Sequence, residues 1–377
     1  MRRRWNRVSL AQAMNRGASA AEPVLDPKIR HHRISAGQFA GHPRTIVVYL
    51  PPDYDADRAR RYPVLYVQDG QNIFEASTAF AGVEWGMDEA AERLIRSGEL
   101  APLIIVGIYN TPDRVGEYTQ VADPSMGGGG ADTYARFVLE DLKPMIDSTY
   151  RTLPDRDNTG VAGSSLGGLV SFYFGMAYSD NFSRIGVVSP AVWWASAEIF
   201  NWVRAPRSPQ SRIWLDMGTA EGRTAGANER LLKGVRSLRD SLTQCGWVLG
   251  ESLHYLEADG GQHNETAWGE RVGDVLKFLF PATAPAETVA MPIDGTLDLH
   301  TFPAREVKDL IPDYVAACRE RGITRVRIIH GKGTGALRRT VHSILARIPE
   351  VESFRLAAED ASSWGATIVT LHAAPTR

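Results

Sequence analysis

The segment Gly163-Ser164-Ser165-Leu166-Gly167-Gly168 constrains the fold of this chain more than any other feature. It fits G-x-S-x-G between a short apolar strand, Thr159 to Ala162, and the helix-compatible run Leu169 to Phe174. A serine on a sharp strand-to-helix turn exposes its hydroxyl at the top of a sheet, and the glycines let the backbone bend without side-chain collisions. Such a turn needs a sheet beneath it. Apolar runs at Thr45 to Leu50, Pro63 to Val67, Leu103 to Ile108, Ile185 to Val188 and Ile213 to Leu215 supply one, with helical patterns at Trp85 to Ile95, Tyr134 to Ile146 and Thr266 to Phe280. Unalternating strands separated by helices predict an α/β domain whose mostly parallel sheet is covered on both faces.

A nucleophilic serine needs a base, and the base needs an orienting acid, in the chain order serine, acid, histidine. Between Ser165 and residue 281 the sequence offers two histidines. His254 lies in the strand-like run Ser252 to Leu256 and reads as structural, whereas His263 lies in the loop Asp259-Gly260-Gly261-Gln262-His263-Asn264-Glu265 before a helix, which suits a base. The segment Arg212 to Gly222 offers two acids: Asp216 at the strand end and Glu221 in the following loop, with Glu221 preferred. An oxyanion needs two backbone N–H donors. Leu166, next after the serine, supplies one, and Gln71 in the early loop Asp69-Gly70-Gln71-Asn72 is the candidate for the other. Trp85, Arg114, Trp193 and Trp194 are candidate pocket residues, though each such residue is more often an ordinary packing or surface residue.

Residues from about 30 to 280 resemble the family of esterase D-like, feruloyl-esterase-like and enterochelin-esterase-like α/β-hydrolases. The resemblance is carried by Tyr49 to Tyr54 (YLPPDY), Tyr62 to Gly70 (YPVLYVQDG), Glu117-Tyr118-Thr119, Tyr150-Arg151-Thr152, the Gly163 to Gly168 turn and Ser189-Pro190. It implies Ser165 as nucleophile and His263 as base, and favours Glu221 over Asp216. It also implies substrates among thioesters, aryl esters and siderophore lactones.

Residues 281–292, Pro281 to Pro292, carry three prolines and no apolar period, and read as a linker. Beyond them, residues 293–377 hold twelve Lys/Arg against ten Asp/Glu, yet seven of the cations fall between Arg321 and Pro349 with no acid among them. The layout predicts β-α-β-α-β: a strand at Leu297 to His300, then a helix presenting Val307, Leu310, Ile311, Tyr314, Val315 and Cys318 on one face. A strand at Arg325 to Ile329 follows, then a helix opened by Gly331-Lys332-Gly333-Thr334-Gly335, and a strand at Ala366 to Leu371. Pro312 should kink the first helix. The glycine-rich turn fits neither a Walker loop nor G-x-G-x-x-G, which argues against a nucleotide cofactor. The pair Leu297-Asp298-Leu299-His300 and Ile328 to Arg338 (IIHGKGTGALR) resembles the Smr (small MutS-related) domain. That resemblance implies binding of DNA or RNA and, in some members, endonuclease cleavage. By motif it makes Asp298, His300 and His330 the candidate polar site, with Lys332, Gly333 and Arg338 near phosphate. Thr301, where a glycine is common, and Trp364 before Gly365 depart from the pattern.

A net charge of −2 over 377 residues provides no global field toward nucleic acid or membrane, so such binding must come from a local patch. No apolar stretch approaches the roughly 20 residues of a membrane-spanning helix. Residues 1–29 form a basic stretch without the apolar core of a secretion signal and are expected to be a disordered tail. Two cysteines, Cys245 and Cys318, are too few for a disulfide scaffold, and a cytoplasmic protein is expected. The reading is a serine hydrolase of carboxylic esters or thioesters (residues 30–280) fused to an Smr-like nucleic-acid module (293–377). The alternative is a nucleic-acid-binding or endonuclease protein whose hydrolase fold is a silent scaffold. The ester chemistry calls for no cofactor or metal, and nothing in the pattern assigns a divalent metal to the C-terminal module.

Overall fold

The strands that the apolar runs predict assemble into one eight-stranded sheet in the computed structural model, which describes residues 28–35, 43–282, 292–302, 307–331, 335–357 and 365–373. The basic stretch through residue 27 and the linker from 283 to 291 lie outside the described residues. In chain order the first unit contains β1 (Ile29–Ile34), β2 (Arg44–Tyr49), β3 (Val64–Gln68), α1 (Met87–Arg96), β4 (Ile104–Ile108) and α2 (Arg114–Glu117). A two-stranded ribbon follows, β5 (Ala122–Asp123) with β6 (Gly127–Gly128), and then α3 (Ala131–Arg136) and α4 (Lys143–Thr149) joined by a π-helical stretch at Phe137–Leu142. The remainder is β7 (Thr159–Ser164), α5 (Leu166–Ala177), β8 (Arg184–Val188), α6 (Trp194–Ala197), β9 (Arg212–Gly218), α7 (Ala225–Gln244), β10 (Leu253–Ala258) and α8 (Glu265–Leu279).

The sheet order is β1-β2-β4-β3-β7-β8-β9-β10. From β4 to β10 all neighbours are parallel, and β1 and β2 close one edge antiparallel. Alternate residues of each strand enter opposite cores, which explains the continuous apolar runs. Ile46, Val48, Tyr66, Val106 and Val161 join α3, α5 and α7 on one face. Val47, Tyr49, Leu65, Val67 and Trp214 join α1 and α8 on the other. Strand β1 begins at Ile29, inside the stretch read as tail, and its sequence IRHHRI gives no apolar signal because an edge strand buries little.

A second unit runs from Ala284 and has its own core. It contains β11 (Thr296–Asp298), α9 (Val307–Glu320), β12 (Arg325–Ile329), α10 (Ala336–Leu345), β13 (Val351–Leu356) and β14 (Ala366–Leu371), in sheet order β11-β12-β14-β13. Two expectations are corrected here. The layout gains a strand, β13, absent from the β-α-β-α-β reading: a bulge between Val351 and Ser353 breaks the period of two that would have marked it. Helix α9 holds Pro312 in its interior. The strand read at Leu297 to His300 ends at Asp298, where a 3₁₀ turn, Leu299–Thr301, takes over. Among the described residues no helix is long and apolar enough to cross a membrane.

Candidate active site

Strand β7 delivers Ser165 to the top of the sheet with φ 58° and ψ −121°, a backbone conformation rare for a residue with a side chain. Strain of this kind persists only where the surroundings hold it. Here the Ser165 N–H donates to Val188 O at 3.1 Å, and its carbonyl accepts from Ala191 N at 3.1 Å and Leu169 N at 3.0 Å. The turn is tight enough that a Cβ at Gly163 would lie 2.7 Å from the Gly167 backbone, and one at Gly168 2.8 Å from Val188 O. Those contacts explain the two glycines on either side of the serine. Leu166 opens α5, so its N–H has no acceptor within the helix.

Ser165 and His263 line one cavity of about 610 Å³, together with Asp69, Gln71, Asn72, Phe80, Arg114 and Trp268. His263 Nδ1 lies 2.7 Å from Glu221 Oε2, and its ring meets Trp268 edge-on at 5.0 Å. The other oxygen of Glu221 accepts from Ser189 Oγ at 2.5 Å and from Gly218 N at 2.7 Å. Glu221 is thus held by two donors and left with one oxygen for the imidazole. Asp216, the alternative acid, is fully buried and engaged elsewhere: Arg271 reaches both its oxygens at 2.9 and 3.0 Å, and Trp214 Nε1 and Ser189 N also donate to it. His254 stacks on Trp214 at 4.2 Å, as a structural histidine would.

The loop bearing Gln71 is shaped by a close approach, since a Cβ at Gly70 would lie 2.4 Å from the Gly107 backbone. Asp69, ahead of it, receives Arg114 through two contacts of 2.7 Å and Asn110 Nδ2 at 2.6 Å. The Gln71 side chain accepts from Asn110 N at 3.2 Å. Of the four candidate pocket residues, Arg114 lines the cavity, Trp85 and Trp194 are buried, and Trp193 is exposed. Sequence reasoning missed the roles of Ser189, Trp268 and Arg271. Trp268 Nε1 and Arg271 both donate to Ser189 Oγ, which in turn donates to Glu221, an assembly that no local spacing encodes.

In the second unit Asp298 Oδ1 accepts from the His300 backbone N–H at 3.0 Å and lies 2.6 Å from His300 Nδ1. The backbone bond and then the imidazole hold its carboxyl below the usual range. His300 Nε2 faces Gly331, where a Cβ would approach to 2.6 Å and where φ is +74°. His330 is buried and bonded inward: Nδ1 to Gly331 O at 3.1 Å and Nε2 to Thr367 Oγ1 at 3.0 Å. His342 Nε2 reaches the same hydroxyl at 3.0 Å. A carbonyl needs a donor, so Nδ1 of His330 carries the proton and Nε2 accepts from Thr367. Burial lowers the pKa of both His330 and His342, in keeping with neutral rings. Arg338 is exposed in the first turn of α10, and Lys332 and Gly333 lie outside the described residues. Among the described residues no cluster of three or more potential metal ligands occurs.

The Putative esterase family matches residues 37–279 and the Smr domain residues 297–372. Protein YbbA of Bacillus subtilis is 25% identical over 244 residues, 63% of this chain and 92% of its own. Ferri-bacillibactin esterase BesA of the same organism is 29% identical over 168 residues, 40% of this chain and 55% of its own. Endonuclease MutS2 of Halothermothrix orenii is 37% identical over 79 residues, 21% of this chain and 10% of its own. The chain therefore spans only about half of BesA and a tenth of MutS2. Among solved structures, the BES protein from Bacillus cereus superposes with a TM-score of 0.54 at 21% identity, over 70% of this chain and 99% of that one, and shares the fold. The chain belongs to the Putative esterase family, with an α/β-hydrolase-like first unit, and carries a C-terminal Smr domain.

Proposed function

We propose that the chain hydrolyses carboxylic esters or thioesters through Ser165, His263 and Glu221. The observation that carries this reading is the 2.7 Å contact of His263 with the buried Glu221 beside a cavity that the strained Ser165 also lines. His263 Nε2 takes the Ser165 proton as Oγ attacks the carbonyl carbon, while Glu221 fixes the Nδ1–H tautomer and stabilises the imidazolium. The N–H groups of Leu166 and Gln71 receive the oxyanion, and a water-excluding site makes such donors worth about 3 to 4 kcal/mol each. The imidazolium returns its proton to the departing alcohol or thiol, and water repeats the sequence on the acyl-enzyme. Siderophore esters, named for BesA, belong in the substrate panel beside short-chain aryl esters and thioesters.

The test is hydrolysis by Ser165→Ala, together with labelling of the intact chain by a fluorophosphonate. A loss of about 10,000-fold or more and a label on Ser165 are expected. Unchanged hydrolysis by the variant would leave the fold a silent scaffold.

For the second unit the reading is nucleic-acid binding, with Asp298 and His300 as the polar site and Arg338 and Lys332 near phosphate. It is supported by the acid-free basic run from Arg321 to Pro349 and by the similarity to MutS2. His330 acts here by holding the turn at Gly331. Affinity that falls steeply with salt is the expected signature, and cleavage by this unit would be lost in His300→Ala.

A further inference from the structure

Strand alternation divides the C-terminal sheet into two unlike faces. Leu297, Val326, Ile328, Val369 and Leu371 point into the core that α9 and α10 share. The register places the intervening residues on the opposite face, which no described helix covers. Thr296 pairs with Arg327, Arg327 with Ile368, and Ile368 with Arg355. In the next row Arg325 pairs with Thr370, and Thr370 with Ser353.

Three arginines therefore stand on one open face. Arg325 and Arg355 are exposed and Arg327 half-buried, and none has a side-chain hydrogen bond or ion pair with a described residue. The Nε of Arg327 is buried without a partner. Two acids lie on these strands: Asp298, at the far end and bonded to His300, and Glu352, the extra residue of the bulge. Arg325 and Arg327 are about 7 Å apart along one strand, and Arg327 and Arg355 about 10 Å apart across two. Half-buried Ile368 lies between Arg327 and Arg355, and half-buried Ile329 follows Arg327 on β12, paired with Asp298.

We propose that this face is a binding track for a single-stranded nucleic acid, leading from the Asp298–His300 site along β12 and across to β13. Guanidinium forks take phosphate oxygens bidentately and their planes stack on unpaired bases, while Ile368 within the Arg327–Arg355 row and Ile329 next to it give apolar contact. A duplex, whose bases are already stacked, gains only the charge contribution. The proposal rests on the nucleic-acid reading of the second unit.

The experiment uses the full chain and measures binding of a single-stranded RNA, a single-stranded DNA and a duplex at several salt concentrations. Arg325→Gln/Arg327→Gln/Arg355→Gln is expected to weaken single-strand binding at least about tenfold and to reduce the salt slope by about 2. The corresponding triple Lys variant should recover most of the salt slope, and the melting transition of the second unit, followed by calorimetry as a check on its folding, should be unchanged in both. If the wild-type chain binds and the Gln variant binds equally well, the track is overturned and the nucleic-acid reading stands. A loss seen on the duplex but not on either single strand overturns it as well. If the wild-type chain binds none of the three probes, the nucleic-acid reading itself fails and the track with it.

Discussion

Two carboxylates lie within six residues of each other near the end of β9, and their partners separate their roles. Asp216 neutralises the buried Arg271, whereas Glu221 keeps one oxygen for His263. The proposed triad thus predicts opposite outcomes for two conservative substitutions. Glu221→Gln should lower kcat by about 10,000-fold with little loss of stability, because the wrong histidine tautomer is then favoured. Asp216→Asn should instead cost about 3 to 5 kcal/mol in denaturant unfolding, since it removes the carboxylate bonded to the buried Arg271 and leaves only Glu221, at 3.9 Å, as counter-charge. Ser189 acts through Glu221 by donating to Oε1. Ser189→Ala should lower kcat about tenfold while KM changes little, matching the loss of about 1.4 kcal/mol from one hydrogen bond to a charged group. Comparable loss in KM would place Ser189 in substrate binding.

At the scale of elements, the turn joining β7 to α5 is limited by backbone contact. Gly168→Ala would set a methyl 2.8 Å from Val188 O, so the helix start must shift, carrying Leu166 N–H with it. The expected outcome is a loss of about 1 to 3 kcal/mol and slower fluorophosphonate labelling. Most elements around this turn were legible because each buried strand is a run of apolar residues and α1 and α8 carry an apolar stripe at helical spacing, whereas α5 is buried on nearly every side and α7 was not legible as a helix. Besides the short ribbon strands β5 and β6, two strands were not legible. The edge strand β1 spends its side chains on solvent, and the bulge in β13 moves Phe354 out of step with Val351. Period-two reasoning fails where a strand buries one face incompletely or changes phase.

The chain divides at residues 283–284 into two units, the first with a core on each face of its sheet and the second with a core of its own, and each unit should melt cooperatively by itself. The second unit should lose stability in acid. Burial holds His330 and His342 below the ordinary histidine pKa of about 6.5, so below that pH the unfolded chain binds more protons than the folded one. Stability from these rings is fully present above about pH 6.5 and is lost as the pH falls through the folded values. Calorimetry between pH 8 and pH 5 should show the Smr-unit transition moving down in temperature, and His342→Phe should flatten that dependence. A pH-independent transition would show that neither ring titrates with unfolding.

Local spacing by itself determined the strand-to-helix turn at Ser165, the loop that bears His263, the α/β alternation and the break before the C-terminal unit. These depend on what neighbouring residues permit, and a sequence states its own neighbourhood. Only the tertiary structure decided which acid meets the imidazole, because that choice is made by Arg271, 55 positions beyond Asp216 on α8, taking one carboxylate and leaving the other. Likewise only strand register set Arg325, Arg327 and Arg355 on one uncovered face, since their shared side follows from hydrogen-bonded pairing and not from their order in the chain.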